Sequence, residues 1–154
     1  MSTGDVMQHS VQLHRIFQAP LSRVYRAFVD PHALVKWMAP HGFTVQIEQF
    51  EPVVNGQYKI AFCNLSTGKS HGFHGQYLEV IPEQRLRYQD EFDSPDLPGL
   101  IQVTIEFKAV SVGTEVWIQQ DNLPDAIPVD GCYLGWQECL DLLSLLVTPD
   151  IPDE

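Results

Sequence analysis

Apolar and polar residues alternate without a break along residues 101–109. The apolar side chains fall on the odd positions from Ile101 to Ala109, and polar side chains fall between them. Successive side chains of a β-strand point to opposite faces, so this period of two predicts a strand with one buried face. Residues 112–114, Val-Gly-Thr, predict a turn into a second strand over 115–120. The two strands are therefore predicted to form a hairpin whose apolar face needs a cover.

Other segments are predicted to be strands because they are apolar at alternate positions and end near Pro, Gly or Asn. They cover residues 11–17, 43–47, 58–62, 72–80 and 85–92. Two short helices are predicted at residues 21–29 and 32–38, since apolar residues recur there every three or four positions. Prolines flank both helices. This order predicts an antiparallel sheet of about seven strands.

The last helical pattern runs from about residue 130 to 147 and is long enough to cover a sheet. Its apolar residues share one broad face with Trp136; they are Cys132, Cys139, Leu140, Leu143, Leu146 and Val147. The sequence thus predicts one α+β domain over residues 1–147, a curved antiparallel sheet with a long C-terminal helix. Because such a sheet commonly leaves space beneath its helix, a ligand pocket is expected there. Residues 148–154 are predicted to form a disordered acidic tail.

Charge is distributed unevenly along the 154 residues, whose net charge is −11. Residues 1–89 hold eight Lys and Arg against six Asp and Glu, whereas residues 90–154 hold Lys108 against 14 acids. Since a nucleic-acid surface needs clustered Lys and Arg, no nucleic-acid partner is expected. No long apolar segment or signal peptide is recognisable, which predicts no membrane span and a cytoplasmic location. The three cysteines include no C-x-x-C pair, which argues against disulfides and zinc.

His71 and His74 are the histidines whose spacing invites a metal site. Residues three apart on a strand point to opposite faces, so one ion cannot bind both. No G-x-S-x-G or G-x-G-x-x-G motif occurs in the sequence. Cys132 and Cys139 share the apolar face of the last helix, which favours small core residues over nucleophiles. No metal, cofactor or catalytic residue is therefore predicted.

Several polar side chains share strand parity with apolar residues that must face inward, such as Val116, Leu78 and Leu86. They are Gln120 in the hairpin, His74 and Gln76 in segment 72–80, and Tyr88 and Asp90 in segment 85–92. Buried polar groups need hydrogen-bond partners. These five residues either orient a ligand in an apolar cavity, or they bond one another or water, or they lie in solvent at the sheet ends.

Bulky groups at sheet-facing and helix-facing positions are predicted to wall the same cavity. With the inward polar groups, the predicted ligand-binding residues are Trp37, Met38, Phe43, Tyr58, Phe62, His74, Gln76, Tyr88, Phe107, Gln120, Trp136 and Leu140. Strand parity turns Trp117 and Tyr77 to the outer face. Aromatic side chains are enriched in interfaces, so a homodimer through the outer face near Trp117 is predicted. The alternative is that a long neighbour such as Lys108 covers the indole ring.

Short motifs spread over residues 11–147 carry a resemblance to one superfamily. They are Ala19-Pro20 with Val24, Ala27 and Phe28; Asp30-Pro31 with Leu34–Trp37; Gly56–Tyr58; Gly75–Leu86; Gly113–Val116; and Gly135-Trp136 with Leu140, Leu143 and Leu146. The chain resembles the START/polyketide-cyclase superfamily (SRPBCC), typified by the birch-pollen allergen. Within it, the chain is most similar to the branch homologous to the C-terminal domain of the activator of heat shock protein 90 ATPase. The resemblance implies the helix-grip fold.

Two features depart from the pattern of that superfamily. Asn55-Gly56 stands where relatives usually have Gly-Gly, and Asn tolerates the left-handed conformation that the turn requires. The acidic run Asp90–Asp93 stands where relatives often place aromatic or apolar residues. The contents of a relative's pocket therefore cannot be carried over to this chain.

The resemblance leaves three functions open, because the superfamily includes lipid carriers, polyketide binders and cyclases. The first is non-enzymatic binding of a mostly apolar small molecule of lipid, polyketide or aromatic type between the sheet and the last helix. The second is a cyclase-like or hydrolase-like enzyme in which His74, Tyr88 and Asp90 perform acid–base work. The third is co-regulation of a chaperone ATPase through protein contacts, although the chain's length leaves no room for the additional N-terminal docking domain of those activators.

Overall fold

The computed structural model describes residues 9–153. Residues 1–8 lie outside it, and they hold most of the segment examined for a signal peptide. Glu154 of the predicted tail also lies outside it. The elements are β1 (Val11–Phe17), α1 (Leu21–Val29), α2 (Pro31–Trp37), β2 (Phe43–Phe50), β3 (Gln57–Asn64), β4 (Ser70–Ile81), β5 (Arg85–Phe92), β6 (Ile101–Val110), β7 (Gly113–Asp121) and α3 (Val129–Val147). The seven strands form one curved antiparallel sheet in the order β1-β7-β6-β5-β4-β3-β2. The predicted α+β helix-grip fold is confirmed.

From β2 to β7, strands that follow one another in the chain are also neighbours in the sheet. Short turns are sufficient for these connections, because the strands are antiparallel. β1 is different: it pairs with β7 at the opposite edge from β2, with Leu13 opposite Ile118. The chain between β1 and β2 must therefore cross the width of the sheet, and α1 and α2 fill this crossing.

The junction of the two short helices is specified locally. The Asp30 side chain accepts a hydrogen bond of 2.9 Å from the backbone N–H of His32, and Pro31 occupies the first turn of α2. These are the residue types preferred at a helix start. The bond from His32 also holds the pKa of Asp30 below its usual value. Trp37 closes α2 against α1, since its indole N–H donates to the carbonyl of Ala27 at 2.9 Å.

α3 covers the sheet with the face on which Cys139, Leu140, Leu143 and Val147 are buried. Leu146 was predicted on this face but is 38% exposed, because it lies at the edge of the apolar face of α3. Polar contacts fix the position of the helix: the Arg15 guanidinium lies 2.6 Å from the Asp141 carboxylate, and Arg23 donates to the carbonyl of Val147 at 2.8 Å. Neither α3 nor any other helix within residues 9–153 is long and apolar enough to cross a membrane.

A β-bulge at Leu78 changes which residues of β4 face inward. Tyr77 pairs with Tyr88 and Glu79 pairs with Arg87, so Leu78 is the additional residue. A shift of one residue exchanges the two faces of a strand. The predicted inward placement of His74 and Gln76 and the outward placement of Tyr77 are therefore wrong: Tyr77 is 4% exposed, whereas Leu78 is 36% exposed.

The turn before β3 lies against this bulge. Asn55 adopts the left-handed conformation, with φ of 67°. Its backbone N–H donates to the carbonyl of Tyr77 at 2.9 Å. The Asn55-Gly56 pair thus supplies both the turn and a hydrogen bond to the strand residue beside the bulge.

Candidate functional site

A cavity of about 380 Å³ lies between the concave face of the sheet and α3. From the sheet it is lined by Phe50, Tyr58, Ile60, Phe62, Phe73, Tyr77, Leu86, Tyr88, Asp90, Phe92, Ile101, Ile105 and Gln120. From the helices and loops it is lined by Phe28, Leu34, Trp37, Met38, Pro40, Leu123, Ile127, Pro128, Gly131, Cys132, Gly135, Trp136 and Cys139. A volume of this order with a mostly apolar wall is typical of small-molecule sites.

Three tyrosines from neighbouring strands form a cluster in the wall. The ring centroids of Tyr58, Tyr77 and Tyr88 are 5.4 to 5.8 Å apart, with tilted or edge-to-face geometry. Such contacts fix ring positions, because the edge of one ring attracts the face of another. Burial raises the pKa values of Tyr77 and Tyr88 above their usual range, so both hydroxyls are neutral.

Gly75 makes room for the tyrosine cluster. A Cβ at this position would lie 2.1 Å from the carbonyl oxygen of Gln89 and 2.3 Å from the hydroxyl of Tyr58. Any other residue would displace either the neighbouring strand or Tyr58. Glycine at this inward position therefore allows the Tyr58 ring to cross over β4 and reach β5.

Asp90 is the acidic residue of the cavity wall. The Tyr58 hydroxyl donates a hydrogen bond to its carboxylate and also lies 3.2 Å from the carbonyl of Gln89. Burial raises the pKa of Asp90 to about 8, since the surrounding protein disfavours the charged form. At neutral pH the carboxyl is therefore mostly protonated, and it can donate as well as accept a hydrogen bond.

Gln120 connects β7 to the first turns of α3. Its side-chain oxygen accepts hydrogen bonds from the Trp136 indole N–H at 2.9 Å and from the Cys132 thiol at 3.0 Å. Gln120 is 9% exposed. The inward position predicted from hairpin parity is thus observed, and the partners are helix side chains. The bond to Trp136 holds the indole against the cavity.

The cysteines near the cavity are unsuited to nucleophilic chemistry. Burial raises the pKa of Cys132 to about 11 and that of Cys139 to about 12. Both thiols are consequently neutral near pH 7, while a nucleophile must form a thiolate. Cys139 donates instead to the carbonyl of Met38 at 3.1 Å. Within residues 9–153 no group of three or more His, Cys, Asp and Glu is placed to hold a metal ion.

Two glycines of α3 leave part of the cavity wall without side chains. A Cβ at Gly131 would lie 3.9 Å from Pro128, and one at Gly135 would lie 3.9 Å from Pro40. Both distances are ordinary van der Waals contacts, so a Cβ has space at either position. Glycine within a helix costs about 0.5–1 kcal/mol relative to alanine. These glycines thus reduce helix stability while leaving space beside the cavity.

The predicted ligand-binding residues divide into three groups. Those that line the cavity are Trp37, Met38, Tyr58, Phe62, Tyr88, Gln120 and Trp136. Phe107 and Leu140 are core residues that do not line it; Phe107 packs instead on Phe28 of α1, with ring centroids 5.0 Å apart. Phe43 does not line the cavity either: it begins the edge strand β2 and packs beside Phe62, with ring centroids 6.5 Å apart.

His74 and Gln76 form the third group, because the bulge places them on the outer face. The Nδ1 atom of His74 lies 2.6 Å from the carboxylate of Asp93. The side chain of Gln76 donates to the carbonyl of Asn55 at 3.5 Å. The proposed acid–base set of His74, Tyr88 and Asp90 is therefore not assembled: His74 is separated from the other two by the sheet.

The residues missed from the wall include Phe73 and Tyr77 of β4. A signal for them is present in the sequence. Phe73, Gly75 and Tyr77 alternate on odd positions, whereas Leu78 and Val80 alternate on even ones. Two apolar patterns out of phase within one strand indicate a bulge between them. Parity counted from Leu78 and Val80 alone therefore gives the wrong faces for the first half of the strand.

Trp117 lies on the outer face, as its parity predicted, and is 39% exposed. The ring that covers part of it belongs to His14 on β1, with centroids 5.2 Å apart. His14 is held by the carboxylate of Glu115 at 2.7 Å. In the ladder Glu106 is opposite Trp117, and Lys108, the alternative cover, is opposite Glu115.

Comparisons with known proteins agree with this architecture. The family described as Activator of Hsp90 ATPase homolog 1-like protein matches residues 18–148. No curated protein matches the chain. Among solved structures, a protein from Chromobacterium violaceum is 46% identical, with a TM-score of 0.91, and the match covers 92% of this chain and 99% of that one.

More distant structures share the fold. A protein from Rhodobacter sphaeroides is 22% identical with a TM-score of 0.81, and the match covers 90% of this chain and 91% of that one. A protein from Nitrosomonas europaea is 19% identical with a TM-score of 0.77, with coverages of 92% and 95%. At these identities the likeness concerns the fold alone.

Proposed function

Because this chain belongs to the family of Activator of Hsp90 ATPase homolog 1-like proteins, which supports a ligand-binding or co-chaperone-like domain, we propose that it binds a mostly apolar small molecule between the sheet and α3. The observation that carries this proposal is the cavity of about 380 Å³. A protein that used this fold only as a rigid scaffold would gain stability by filling such a space, since cavities cost free energy.

The composition of the wall favours an apolar ligand with a small polar part. Aromatic rings from β3, β4 and β5 supply large apolar contact areas. The polar atoms of the wall belong to Asp90, Gln120 and the tyrosine cluster. Sites of this kind use a few polar groups to orient a ligand that is held mainly by burial.

Binding without chemical conversion is the form of the proposal that the side chains support. His74 lies across the sheet from Tyr88 and Asp90, and the thiols of Cys132 and Cys139 are neutral. A general acid and base must both lie within hydrogen-bond reach of a ligand. In this cavity Asp90 and Tyr58 are bonded to each other, which suits recognition of a polar group.

The test is to block the cavity without disturbing the rest of α3. In Gly135→Phe, a ring is added beside the cavity at a position where a Cβ has space. In the control Leu145→Phe, a ring is added at a position of the same helix that is 74% exposed. With prodan, an uncharged fluorescent naphthalene, we expect the wild type and Leu145→Phe to bind alike and Gly135→Phe to lose at least about tenfold in affinity. Equal binding by all three proteins would contradict the proposal.

Co-regulation of a chaperone ATPase is a second candidate, favoured by the description of the family. A chaperone would contact the outside of the domain and would be insensitive to a ring placed in the cavity. If this function applies, we therefore expect purified protein to raise the turnover of an Hsp90-type ATPase. The variant Gly135→Phe should raise that turnover equally. No stimulation at saturating protein would remove this candidate.

A reducing compartment, the cytoplasm, is the proposed location. Cys63, Cys132 and Cys139 are all free thiols in the structure. Free thiols persist where glutathione and thioredoxin keep cysteine reduced. Three titratable thiols in denatured protein prepared without reductant would agree with this location, and an oxidised pair would contradict it.

A further inference from the structure

The ionisable groups of the cavity wall include an acidic side chain without a basic partner among the described residues. Asp90 contributes a carboxyl group, whereas no Lys, Arg or His within residues 9–153 lines the cavity. The other titratable groups of the wall are Tyr58 on β3, Tyr77 on β4, Tyr88 on β5, and Cys132 and Cys139 on α3. The residues that β6 adds to the wall, Ile101 and Ile105, are apolar. No positive side chain is therefore available to neutralise an ionised Asp90 from inside the cavity.

The hydrogen bonding of Asp90 is also incomplete for an anion. An ionised carboxylate can accept about four hydrogen bonds. The donor observed within the described residues is the hydroxyl of Tyr58. Asp90 is half-buried at the cavity wall, and a carboxylate largely removed from water with one donor is costly unless a positive group pairs with it. This explains why Asp90 favours its protonated form, and it defines what a ligand would have to bring.

Aromatic rings pack around Tyr58, the residue whose hydroxyl bonds this carboxyl group. Tyr58 contacts both Tyr77 and Tyr88, with centroid distances of 5.5 and 5.8 Å. Phe73 lies 6.5 Å from Tyr58 on the other side. The π-faces of aromatic rings attract cations, and the attraction is strongest where water is excluded. A carboxylate within an aromatic cluster is the combination that recognises an ammonium group attached to an apolar body.

On the basis of the proposed function, we propose that the ligand of this cavity is an apolar amine whose ammonium group pairs with Asp90 inside the tyrosine cluster. Fatty acids and other organic anions are excluded. An anion would find no cation in the wall: the protonated acid could offer it one O–H donor without a positive charge, and ionised Asp90 would repel it. A neutral ligand would fill the same space but would leave Asp90 protonated, without the ion pair that an ammonium group forms. Selectivity among ligands of equal size therefore depends on the charge of the polar group.

The proposal predicts a specific dependence on pH. Below the pKa of Asp90, about 8, an ammonium ligand must displace the proton of the carboxyl group. Affinity for the amine should therefore rise about tenfold per pH unit from about pH 6 to 8 and then level off. The thiols of Cys132 and Cys139 and the hydroxyls of Tyr77 and Tyr88 remain neutral over this range, because burial raises their pKa values.

The experiment uses three compounds with one skeleton: 4-phenylbutylamine, 4-phenylbutan-1-ol and 4-phenylbutanoic acid. Titration calorimetry measures their affinities for the wild type, for Asp90→Asn and for the control Glu91→Gln. Glu91 is the next carboxylate on the strand, but it lies on the outer face with its side chain 48% exposed. The Asn variant keeps the size of the side chain and its bond from Tyr58 while removing the negative charge.

We expect the wild type and Glu91→Gln to bind the amine at least about tenfold more tightly than the alcohol, and the acid more weakly than either. Asp90→Asn should lose this preference while its affinity for the alcohol changes less than about twofold. At neutral pH, amine binding to the wild type should release a proton, seen as a dependence of the heat on the buffer. This proton release and the preference for amine over alcohol need no variant, so the test stands even if Asp90→Asn fails to fold.

Two results would overturn the inference in distinguishable ways. If alcohol and amine bind the wild type equally, or if the acid binds best, the amine is rejected while the cavity remains a ligand site. If none of the three compounds binds and prodan does not bind either, the proposed function fails and the inference fails with it.

Discussion

The concave and convex faces of the sheet are made by the same strands but have different chemistry. On β5, Tyr88 and Asp90 line the cavity, while the neighbouring Glu91 lies on the outer face. Glu91 lies 4.0 Å from His74 with its side chain 48% exposed, whereas Asp90 has a raised pKa. Two adjacent carboxyl groups thus differ because one faces a cavity covered by α3 and the other faces solvent.

The difference also appears in how each face uses ion pairs. On the outer face Arg85 lies 3.4 Å from both Glu79 and Glu106, and these exposed pairs are worth only about 0–1 kcal/mol each. On the inner face no such pair lines the cavity within the described residues, and packing carries the stability. Substitutions on the inner face should therefore have large effects, and matched substitutions on the outer face small ones.

The largest effect is expected for Ile105→Ala on the inner face of β6. Ile105 is 1% exposed, so its truncation should lower the free energy of unfolding by about 3–4 kcal/mol. Gln102→Ala, on the exposed outer face of the same strand, should change it by less than about 0.5 kcal/mol. Urea unfolding followed by tryptophan fluorescence measures both values. Similar losses from the two variants would show that the faces do not differ as described.

A smaller loss is expected for Gly75→Ala, compared with Gly72→Ala on the same strand. At Gly75 the new Cβ meets the backbone of Gln89 and the ring of Tyr58, so we expect a loss of about 2–3 kcal/mol. At Gly72 the new Cβ meets the end of the Asp93 side chain, which can move toward solvent. Its cost should be below about 1 kcal/mol. The same urea unfolding assay measures both variants. If Gly72→Ala lowered the free energy of unfolding more than Gly75→Ala does, the assignment of the two faces of β4 would be reversed.

The pH dependence of stability should reveal Asp90. Its pKa is raised from an ordinary 3.8 to about 8 in the folded protein, so folding takes up a proton between these values. The stabilisation that the bound proton contributes is fully present below about pH 4. It is lost as the pH rises to about 8, by at most about 1.4 kcal/mol per pH unit. The free energy of unfolding should therefore fall relative to Asp90→Asn from about pH 5 to 8. Parallel curves for the two proteins would show that Asp90 titrates normally.

A small effect on stability is also expected for Trp117→Ser on the convex face. Since Trp117 is 39% exposed and packs on His14, its loss should cost less than about 1 kcal/mol. A homodimer through this face stays a prediction. It requires the wild type to sediment as a dimer at micromolar concentration and Trp117→Ser to sediment as a monomer. A monomeric wild type, or a dimer that persists in the variant, would remove Trp117 from any interface.

The sequence was a good guide wherever structure depends on neighbours in the chain. The alternation over residues 101–109 predicted β6 and its buried face, and the hairpin to β7 follows with Ile105 opposite Ile118. Asp30-Pro31 predicted the break between α1 and α2, since capping is a local interaction. The inward position of Gln120 followed from the same parity, because β7 has no bulge.

The site was harder to predict, because parity holds only within an unbroken ladder. His74 and Gln76 were assigned to the cavity by counting back from Val80 across the bulge at Leu78. Phe73 and Tyr77, which do line the cavity, were missed for the same reason. Phe107 has the predicted inward parity, but α1 covers it, so it became core and does not border the cavity. Parity identifies a face and says nothing about which part of that face remains uncovered.

By itself the sequence determined the elements, their order and the need for a helix to cover one face, because these follow from periods of two and of about 3.6 residues. The tertiary structure decided where the space remains and what surrounds it. Tyr58, 32 positions from Asp90, reaches that carboxyl over Gly75 of the strand between them. The raised pKa of Asp90 follows from burial by β-strands and by a helix far away in the chain. Such properties depend on groups brought together only by folding, and no local pattern encodes them.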